Sequence, residues 1–229
     1  MDKNRLTVHA VIFDLDGTLV DSMEAYYQIM GVVFERLHLP PLSRKEIWGA
    51  VKEEGFDWAS VLPEEVIPRQ EEVIARARKI IDDVWPHLFR RELRPIPGAA
   101  ETLKDISKGK MKIGLVTSTP SKHLPVKLSA LRPSGADTLF QEIITADDVQ
   151  RKKPAADPLI ECARRLHVEP NKSVYVGDSR VDIMSGKAAG MKTIGVLTGI
   201  DSYESLKGEN PDMILSSVAG LCETIHFGV

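Results

Sequence analysis

Short apolar runs alternate with stretches of helical periodicity along most of this chain, and no other feature of the sequence constrains its fold as strongly. Residues 8–13 are apolar, rich in β-branched side chains and too few for a helix, so they predict a strand. Further strands are predicted at 112–117, 142–145, 173–177, 193–197 and 213–215, and helices at 99–106, 122–131, 158–166, 181–189 and 218–225. Such alternation is typical of βαβ units. The expected fold class is therefore α/β, with a Rossmann-like parallel sheet and helices on both of its faces.

The alternation is interrupted between residues 20 and 94, where apolar residues recur every three or four positions. This spacing predicts helices at 23–37, 43–51 and 68–85 and no strand. Asp21 and Glu24 are expected to cap the first of these helices. The chain is thus expected to form an α/β core from residues 1–19 and 95–229, with residues 20–94 inserted as an all-α cap. The predicted hinges are residues 19–21 and the Pro- and Gly-containing stretch 95–98.

The composition of the chain limits the kinds of partner that it is expected to bind. The 229 residues include 30 Lys and Arg against 33 Asp and Glu, and the net charge of −3 gives no electrostatic reason to bind nucleic acid. The apolar runs are too short to span a membrane, and no secretory segment follows Met1. The two cysteines, Cys162 and Cys222, do not make a disulfide framework. We therefore expect a cytoplasmic protein with no nucleic-acid or membrane partner, either a monomer or a homodimer.

Polar residues stand just past the carboxyl ends of four predicted strands. In chain order they are Asp14, Asp16 and Thr18; Thr117 and Ser118; Lys152 and Lys153; and Gly177, Asp178 and Asp182. Open parallel sheets bind their ligands at the edge where the strands end. Four separate segments are therefore expected to deliver carboxylates, hydroxyls and a lysine to one place.

The chemistry of these residues points to a phosphoryl ligand. The three carboxyl groups of Asp14, Asp16 and Asp178 cannot all stay ionised at close range without a cation. Oxygen ligands with no His or Cys nearby favour a hard ion, and Mg²⁺ suits a few carboxylates together with water and phosphate. Lys153 adds positive charge and Thr117 adds a hydroxyl donor, which completes a site suited to a phosphoryl group.

Asp14 and Asp16 are two residues apart, so in a continued strand both would point to the same side. One carboxylate can attack phosphorus, and the other can protonate the leaving oxygen and then activate water. Gly17, which follows them, allows the backbone to approach a ligand closely. The pair therefore predicts covalent phosphoryl chemistry.

Four motifs resemble, in family order, those of the haloacid dehalogenase-like (HAD) hydrolases. They are VIFDLDGTL at 11–19, LVTS at 115–118, KPAADP at 153–158 and VGDSRVDI at 176–183. Residues 211–214 also resemble the last strand of phosphoglycolate phosphatase-like members. A helical insert between the first and second motifs is similar to the type-one cap of the family.

This resemblance implies catalytic roles residue by residue. Asp14 would be the nucleophile, and Asp16 would be the general acid and base. Lys153 would hold the phosphoryl group and restrain Asp14. The implied substrate contacts are Gly17, Thr18, Thr117 and Ser118.

The resemblance also implies a Mg²⁺ site. Its ligands would be Asp14, the backbone carbonyl of Asp16, and Asp178. Asp182 would either reach the ion through water or orient its neighbours. A second interpretation of Asp182 stays open, because a carboxylate early in a helix is also favoured by the helix dipole.

The expected function is a Mg²⁺-dependent phosphatase of a small phosphorylated metabolite, with phosphoglycolate favoured by resemblance. A β-phosphoglucomutase-like phosphotransferase would use the same core residues, and a non-catalytic binding protein on this fold is the third alternative. Substrate choice is expected to depend on residues 44–58, where Lys52, Gly55 and Trp58 lie. For any one of these residues taken singly, a solvated helix face is the favoured explanation.

Overall fold

The computed structural model describes residues 6–52 and 55–227. The chain divides into two compact units. Residues 1–21 and 94–229 form the first, which we call the sheet unit, and residues 22–93 form the second, the insert unit. The insert unit therefore interrupts the sheet unit once along the sequence.

Strands and helices alternate through the sheet unit, whereas the insert unit is mainly helical. The strands are β1 (Leu6–Val8), β2 (Ala10–Phe13), β3 (Val20–Asp21), β4 (Val51–Lys52), β5 (Gly55–Phe56), β6 (Arg94–Pro95), β7 (Lys112–Val116), β8 (Glu142–Ile144), β9 (Ser173–Gly177), β10 (Lys192–Val196), β11 (Met213–Leu215) and β12 (Ile225–Phe227). The helices are α1 (Met23–Arg36), α2 (Arg44–Ala50), α3 (Gln70–Glu92), α4 (Ala99–Lys108), α5 (Leu124–Leu128), α6 (Asp157–Arg165), α7 (Arg180–Ala188), α8 (Tyr203–Gly208) and α9 (Leu221–Thr224). In residues 6–52 and 55–227, no helix combines the length with the apolar composition that crossing a bilayer requires.

Within the described residues, six strands form one parallel sheet in the order β11–β10–β9–β2–β7–β8. Phe13 of β2 is in register with Leu115 of β7 and with Val176 of β9. All of β2 is buried, as expected of a strand covered on both faces. The predicted α/β class with a parallel sheet is confirmed. Because parallel strands end at one edge, the loops after β2, β7 and β9 meet there.

Helices cover this sheet and supply its core. Helix α6 packs against β7 and β8, and α7 packs against β9 and β10. Ala10 and Ile12 belong to one buried cluster with Cys162 of α6. Successive side chains of a strand point to opposite faces, so Val11 and Phe13, which are also buried, face the other side. Apolar packing on both faces therefore fixes β2, and with it the start of the loop that follows.

The ends of the sheet unit differ from the sequence expectation. The strand predicted at 8–13 is divided at His9 into β1 and β2, and β1 pairs in parallel with β12. The helix predicted at 218–225 is wrong in extent, because Val218–Gly220 form a 3₁₀ turn, α9 covers only Leu221–Thr224 and Ile225 begins β12. Local periodicity does not reveal a pairing between segments this distant in sequence.

The helix predicted at 122–131 is also wrong in extent. Helix α5 covers five residues, with a 3₁₀ turn before it at Ser121–His123 and another after it at Arg132–Ser134. Pro133 lacks a backbone N–H and so cannot continue an α-helical ladder. Helix α8 was not predicted, since its six residues are too few for periodicity to show.

Aromatic contacts hold the insert unit together, where α1 packs along α3. The rings of Tyr26 and Phe89 meet edge to face with their centroids 5.1 Å apart, and Trp85 stacks on Phe89 with a centroid distance of 4.5 Å. The ring of Trp58 lies 4.9 Å from that of Phe56. The tryptophans Trp58 and Trp85 thus pack against neighbouring rings of the unit.

Helix α3 is longer than the prediction of 68–85. It begins at Gln70 after a 3₁₀ segment, Glu64–Arg69, and continues past Pro86 to Glu92. A proline inside a helix removes one backbone hydrogen bond. Burial of Phe89 against the rings of its neighbours offsets this loss, which explains why the helix does not end at Pro86.

Two expectations about residues 20–94 are wrong. Asp21 does not cap α1, because it lies in β3 and pairs with Arg94 of β6. Glu24 instead accepts hydrogen bonds from Gln28 at 3.2 Å and Arg44 at 2.6 Å. The expectation of no strand fails as well, since β4 and β5 form an antiparallel pair. Strands of two residues are too short for the alternation of apolar and polar residues to reveal them.

The two cysteines differ in reactivity on physical grounds, and this is testable. Cys162 is fully buried, and burial raises the pKa of its thiol to about 12. Cys222 is only partly buried. Because the thiolate is the reactive form, we expect Ellman's reagent at pH 8 to label Cys222 first and Cys162 only on unfolding. Equal labelling rates for the two thiols in the native protein would contradict this burial.

Candidate active site

The loop after β2 begins the candidate site. The Asp14 backbone N–H donates to the Val176 carbonyl at 2.8 Å, which keeps Asp14 at the end of the sheet. Gly17 then adopts a φ of +77°, a conformation that glycine tolerates far better than other residues. A Cβ at this position would lie 2.5 Å from Asp178 Oδ2. Glycine is therefore required for the close approach of the first loop to Asp178.

Lys153 joins two of the carboxylates. Its Nζ donates to Asp14 Oδ1 at 2.7 Å, to Asp182 Oδ1 at 2.6 Å and to the Tyr175 hydroxyl at 3.0 Å. Burial alone would lower the pKa of Lys153, but the charges of Asp14 and Asp182 outweigh burial and hold this pKa well above its ordinary value. The lysine is therefore a fixed positive charge beside Asp14.

One lysine does not balance the negative charge of this cluster. Oxygens of Asp14, Asp178 and Asp182, all buried, lie within 4.8 Å of one another. Burial raises the pKa of Asp14 to about 7 despite the opposing charge of Lys153. Burial and the neighbouring Asp182 and Asp14 carboxylates raise the pKa of Asp178 well above its usual range. Buried, oxygen-only donors with excess negative charge fit a hard divalent cation such as Mg²⁺.

Asp178 is oriented by the loops around it. Its Oδ1 accepts from the Thr18 hydroxyl at 3.1 Å, and its Oδ2 accepts from the Ile200 backbone N–H at 2.9 Å. Gly199 leaves no room for a side chain, since a Cβ there would stand 1.8 Å from Asp178 Oδ2. Thr18, which the resemblance implies as a substrate contact, thus contacts Asp178.

Asp182 serves the cluster and its own helix together. Its Oδ2 accepts from the Ser179 hydroxyl at 2.6 Å and from the Ser179 N–H at 3.1 Å, which caps the start of α7. Its Oδ1 accepts from Lys153 and from the Tyr175 hydroxyl. These contacts match the role of orienting its neighbours, and its carboxylate still lies among the possible ligands.

The carboxylate of Asp16 does not belong to that group of three. The sequence placed Asp14, Asp16 and Asp178 together, whereas the group of three that the structure brings together contains Asp182 instead. Asp16 Oδ2 accepts hydrogen bonds from the Thr119 hydroxyl at 3.1 Å and from Lys127 Nζ at 2.5 Å. Side chains two residues apart point to the same side only within a strand. Asp14 and Asp16 follow the end of β2, where the loop has already turned, so their carboxylates do not join one group.

The residues after β7 line a small pocket beside Lys153. Thr117 and Ser118 both lie on its wall, as Lys153 does. The Thr117 N–H donates to the Ile144 carbonyl at 2.9 Å, and its Oγ1 accepts from the Thr119 N–H at 3.1 Å. The structure thus brings the predicted second and third motifs to one place.

Sequence reasoning missed three side chains of this site. Tyr175 donates to Asp182 Oδ1 at 3.0 Å, and Thr119 and Lys127 bind Asp16. A signal for Lys127 existed, because it lies three residues after Leu124 and four before Leu131, on the apolar face of a helical pattern. A charged residue in that position is rarely buried unless it is paired.

Known proteins of one family are similar to this chain in sequence and in fold. The sequence profile described as haloacid dehalogenase-like hydrolase matches residues 11–196. Phosphoglycolate phosphatase of Escherichia coli (strain K12) is 31% identical over 233 residues, covering 93% of this chain and 91% of that protein. A crystal structure of a predicted phosphoglycolate phosphatase from Haemophilus somnus 129PT has a TM-score of 0.81 at 23% identity and covers 95% and 97% of the two chains. A structure from Thermotoga maritima assigned as a β-phosphoglucomutase has a TM-score of 0.69 at 23% identity, with 94% and 97% covered.

The profile spans most of the chain, and the curated relative is similar along almost its whole length. The chain belongs to the haloacid dehalogenase-like hydrolase family. It is an enzyme, and the resemblance expected from its four motifs is confirmed. The two solved structures, at less than 25% identity, show the shared fold alone.

Proposed function

We propose that this chain is a Mg²⁺-dependent phosphatase that hydrolyses a small phosphomonoester, phosphoglycolate first among them, through an aspartyl-phosphate at Asp14. The class of activity, phosphoric monoester hydrolysis, follows from the family and the phosphatase relatives. The metal, the intermediate, the substrate and a cytoplasmic location are the proposed parts. The observation that carries the mechanism is the buried Asp14 carboxylate, one oxygen of which accepts a hydrogen bond from Lys153.

In the first step, an oxygen of the Asp14 carboxylate attacks phosphorus. The bond from phosphorus to the ester oxygen breaks, and its electron pair stays on the leaving oxygen, which takes a proton from the carboxyl group of Asp16. Lys153 offsets negative charge beside Asp14. The products are a free alcohol and an aspartyl-phosphate.

In the second step, water attacks the same phosphorus. The Asp16 carboxylate takes a proton from that water, and the bond between phosphorus and the Asp14 oxygen breaks. Inorganic phosphate leaves, and the Asp14 carboxylate and the Asp16 carboxyl group return to their starting forms. Thr117, Ser118 and Gly17 are proposed to contact the phosphoryl oxygens.

A magnesium ion fits the carboxylate cluster by charge and by donor type. Asp14 and Asp178 would hold it, together with the backbone carbonyl of Asp16, and Asp182 would lie beside them. When bound, the ion would offset the negative charge of the phosphoryl oxygens. Burial and neighbouring carboxylates raise the pKa values of Asp14 and Asp178, so their negative charges are unfavourable here and a cation would stabilise them.

The substrate proposal rests on the curated relative. A phosphoglycolate phosphatase that is 31% identical along nearly the whole chain makes phosphoglycolate the first compound to test. We propose that the insert unit is the cap and selects the substrate, with residues 44–58 as its specificity segment. Arg44 already pairs with Glu24 and lies over the Tyr27 ring at 4.2 Å. The Lys52 side chain lies outside the described residues.

A substrate panel tests the proposal. Phosphate release is measured from phosphoglycolate, p-nitrophenyl phosphate, several sugar phosphates and pyrophosphate, with Mg²⁺ or with EDTA. We expect Mg²⁺-dependent release, fastest from phosphoglycolate. Full activity in EDTA would contradict the proposed Mg²⁺ dependence. A sugar phosphate that is hydrolysed faster would replace phosphoglycolate as the proposed substrate. Isomerisation of β-glucose 1-phosphate without phosphate release would favour the phosphotransferase alternative.

The metal proposal makes a separate prediction at Asp178. Asp178→Asn keeps the shape of the side chain and removes one negative charge from the cluster, so we expect the Mg²⁺ concentration for half-maximal activity to rise. A loss of one charged ligand is expected to cost at least about tenfold in this concentration. Asp212→Asn, which changes a carboxylate paired with Lys192 on the sheet unit, is the control. An unchanged Mg²⁺ titration in Asp178→Asn would remove this residue from the metal site.

A further inference from the structure

The carboxyl group of Asp16 is held at one oxygen only. Lys127 Nζ donates to Asp16 Oδ2 at 2.5 Å and to Thr119 Oγ1 at 2.9 Å, and Thr119 Oγ1 donates in turn to Asp16 Oδ2 at 3.1 Å. The side chain of Lys127 is 3% exposed. A buried ammonium and a hydroxyl therefore converge on Oδ2 of this carboxyl group.

The other oxygen of the same group is in the opposite situation. Asp16 Oδ1 is buried and has no hydrogen-bond partner in the part of the chain that the structure describes. Leaving a buried polar atom unsatisfied is unfavourable, and a ligand atom or a proton at that position would remove the cost. Since Oδ2 accepts two donors, a proton carried by this carboxyl group belongs on Oδ1.

We propose that Lys127 is a positioning residue that, with Thr119, fixes Asp16 so that Oδ1 faces the leaving oxygen. This inference rests on the proposed function, in which Asp16 donates a proton as the ester bond breaks. The proton moves from Oδ1 to the leaving oxygen, the electron pair of the broken P–O bond stays on that oxygen, and Lys127 keeps its own protons. Lys127 thus acts through Asp16 and not on the phosphoryl group.

The placement of Lys127 favours a specific role over a chance contact. It lies on the short helix α5, where Leu124 precedes it by three residues and so shares its face. Burying a lysine in such a place is unfavourable unless a carboxylate pairs with it. Here the partner is one of the two carboxylates that the chemistry uses.

Two esters with different leaving groups test this role. The p-nitrophenolate ion leaves readily without a proton, whereas an alkoxide needs one. The rate of the first step is measured in single turnovers with excess enzyme. The measured quantity is the amount of alcohol or p-nitrophenol that is formed over time. The alkyl ester is phosphoglycolate, or the fastest alkyl phosphomonoester of the panel above.

Lys127→Met keeps the length of the side chain and removes the ammonium group. We expect the first-step rate with the alkyl ester to fall about 100-fold, the scale of a general acid, and the rate with p-nitrophenyl phosphate to stay within about threefold. Lys122→Met, which removes an exposed lysine from the preceding turn, should leave both rates unchanged. Equal losses for the two esters, or no loss, would overturn the proposal.

A double-mutant cycle separates positioning from a structural role. In the Asp16→Asn background, Lys127→Met should cause no further change in the ratio of the two rates, because its partner no longer donates a proton. Additive losses would overturn the proposal. If Lys127→Met does not fold, Thr119→Val removes the second donor instead, and it should lower the alkyl rate severalfold more than the p-nitrophenyl rate.

The proposed function and this inference fail in different ways. Wild-type protein that releases no alcohol from either ester would overturn the proposed function, and the inference would fall with it. Wild-type turnover of both esters, with a rate ratio that neither Lys127→Met nor Thr119→Val changes, would overturn the inference alone.

Discussion

Asp14→Asn should lower phosphate release from the best substrate by at least about 10³-fold, because loss of a nucleophile removes the covalent route and leaves only the contribution of binding and electrostatics. The change is nearly isosteric, and Lys153 keeps Asp182 as its partner, so the fold is expected to persist. Acid quench of a reaction with ³²P-labelled substrate should trap a labelled protein in the wild type and none in the variant.

The matched control for this variant is Asp105→Asn, which changes an exposed carboxylate on α4 paired with Lys108. It should keep both turnover and labelling. Residual turnover of Asp14→Asn within about tenfold of wild type, a difference of only ~1.4 kcal/mol, would refute the nucleophile assignment. Label retained on the variant would refute it as well.

Lys153→Met should have the largest effect on stability. The lysine is buried between Asp14 and Asp182, and its removal leaves two buried carboxylates without their cation. Breaking a buried pair in this way typically costs about 3–5 kcal/mol of the free energy of unfolding. Urea denaturation followed by circular dichroism, in EDTA, measures this loss without assistance from metal. Activity should be lost too, since the charge beside Asp14 is gone.

Lys152→Met is the matched control, because Lys152 is exposed and directly precedes Lys153. Surface changes of this kind are usually within about 0.5 kcal/mol of wild type. A Lys153→Met protein with the same denaturation midpoint and slope as wild type would show that Lys153 does not stabilise the buried Asp14 and Asp182 carboxylates.

Much of the sheet could be predicted because its strands carry their own signal. The bounds of β9 and β11 agree with the predictions at 173–177 and 213–215. Buried parallel strands read as short continuous apolar runs, and the loops between them break the pattern clearly. The convergence of the polar loops followed from one rule about parallel sheets, and it needed no knowledge of side-chain contacts.

What the sequence did not reveal depends on contacts between distant residues. The pairing of β1 with β12 and of β4 with β5 involves two- and three-residue strands with no periodicity to detect. The substitution of Asp182 for Asp16 in the carboxylate cluster depends on how the loop turns after β2. Lys127 was predicted only as part of a helix, because nothing local says that its partner lies 111 residues away.

The pairing of β3 with β6 has a practical consequence. Asp21 and Arg94 are partners in an antiparallel ladder, and such partners have Cα atoms about 4.5–5.5 Å apart. A two-residue turn such as Asn-Gly is therefore long enough to rejoin the chain in place of residues 22–93. The same splice point accepts any segment whose ends lie equally close. Chimaeras built there would exchange inserts between relatives while the proposed catalytic residues stay constant, which would test whether the insert selects the substrate.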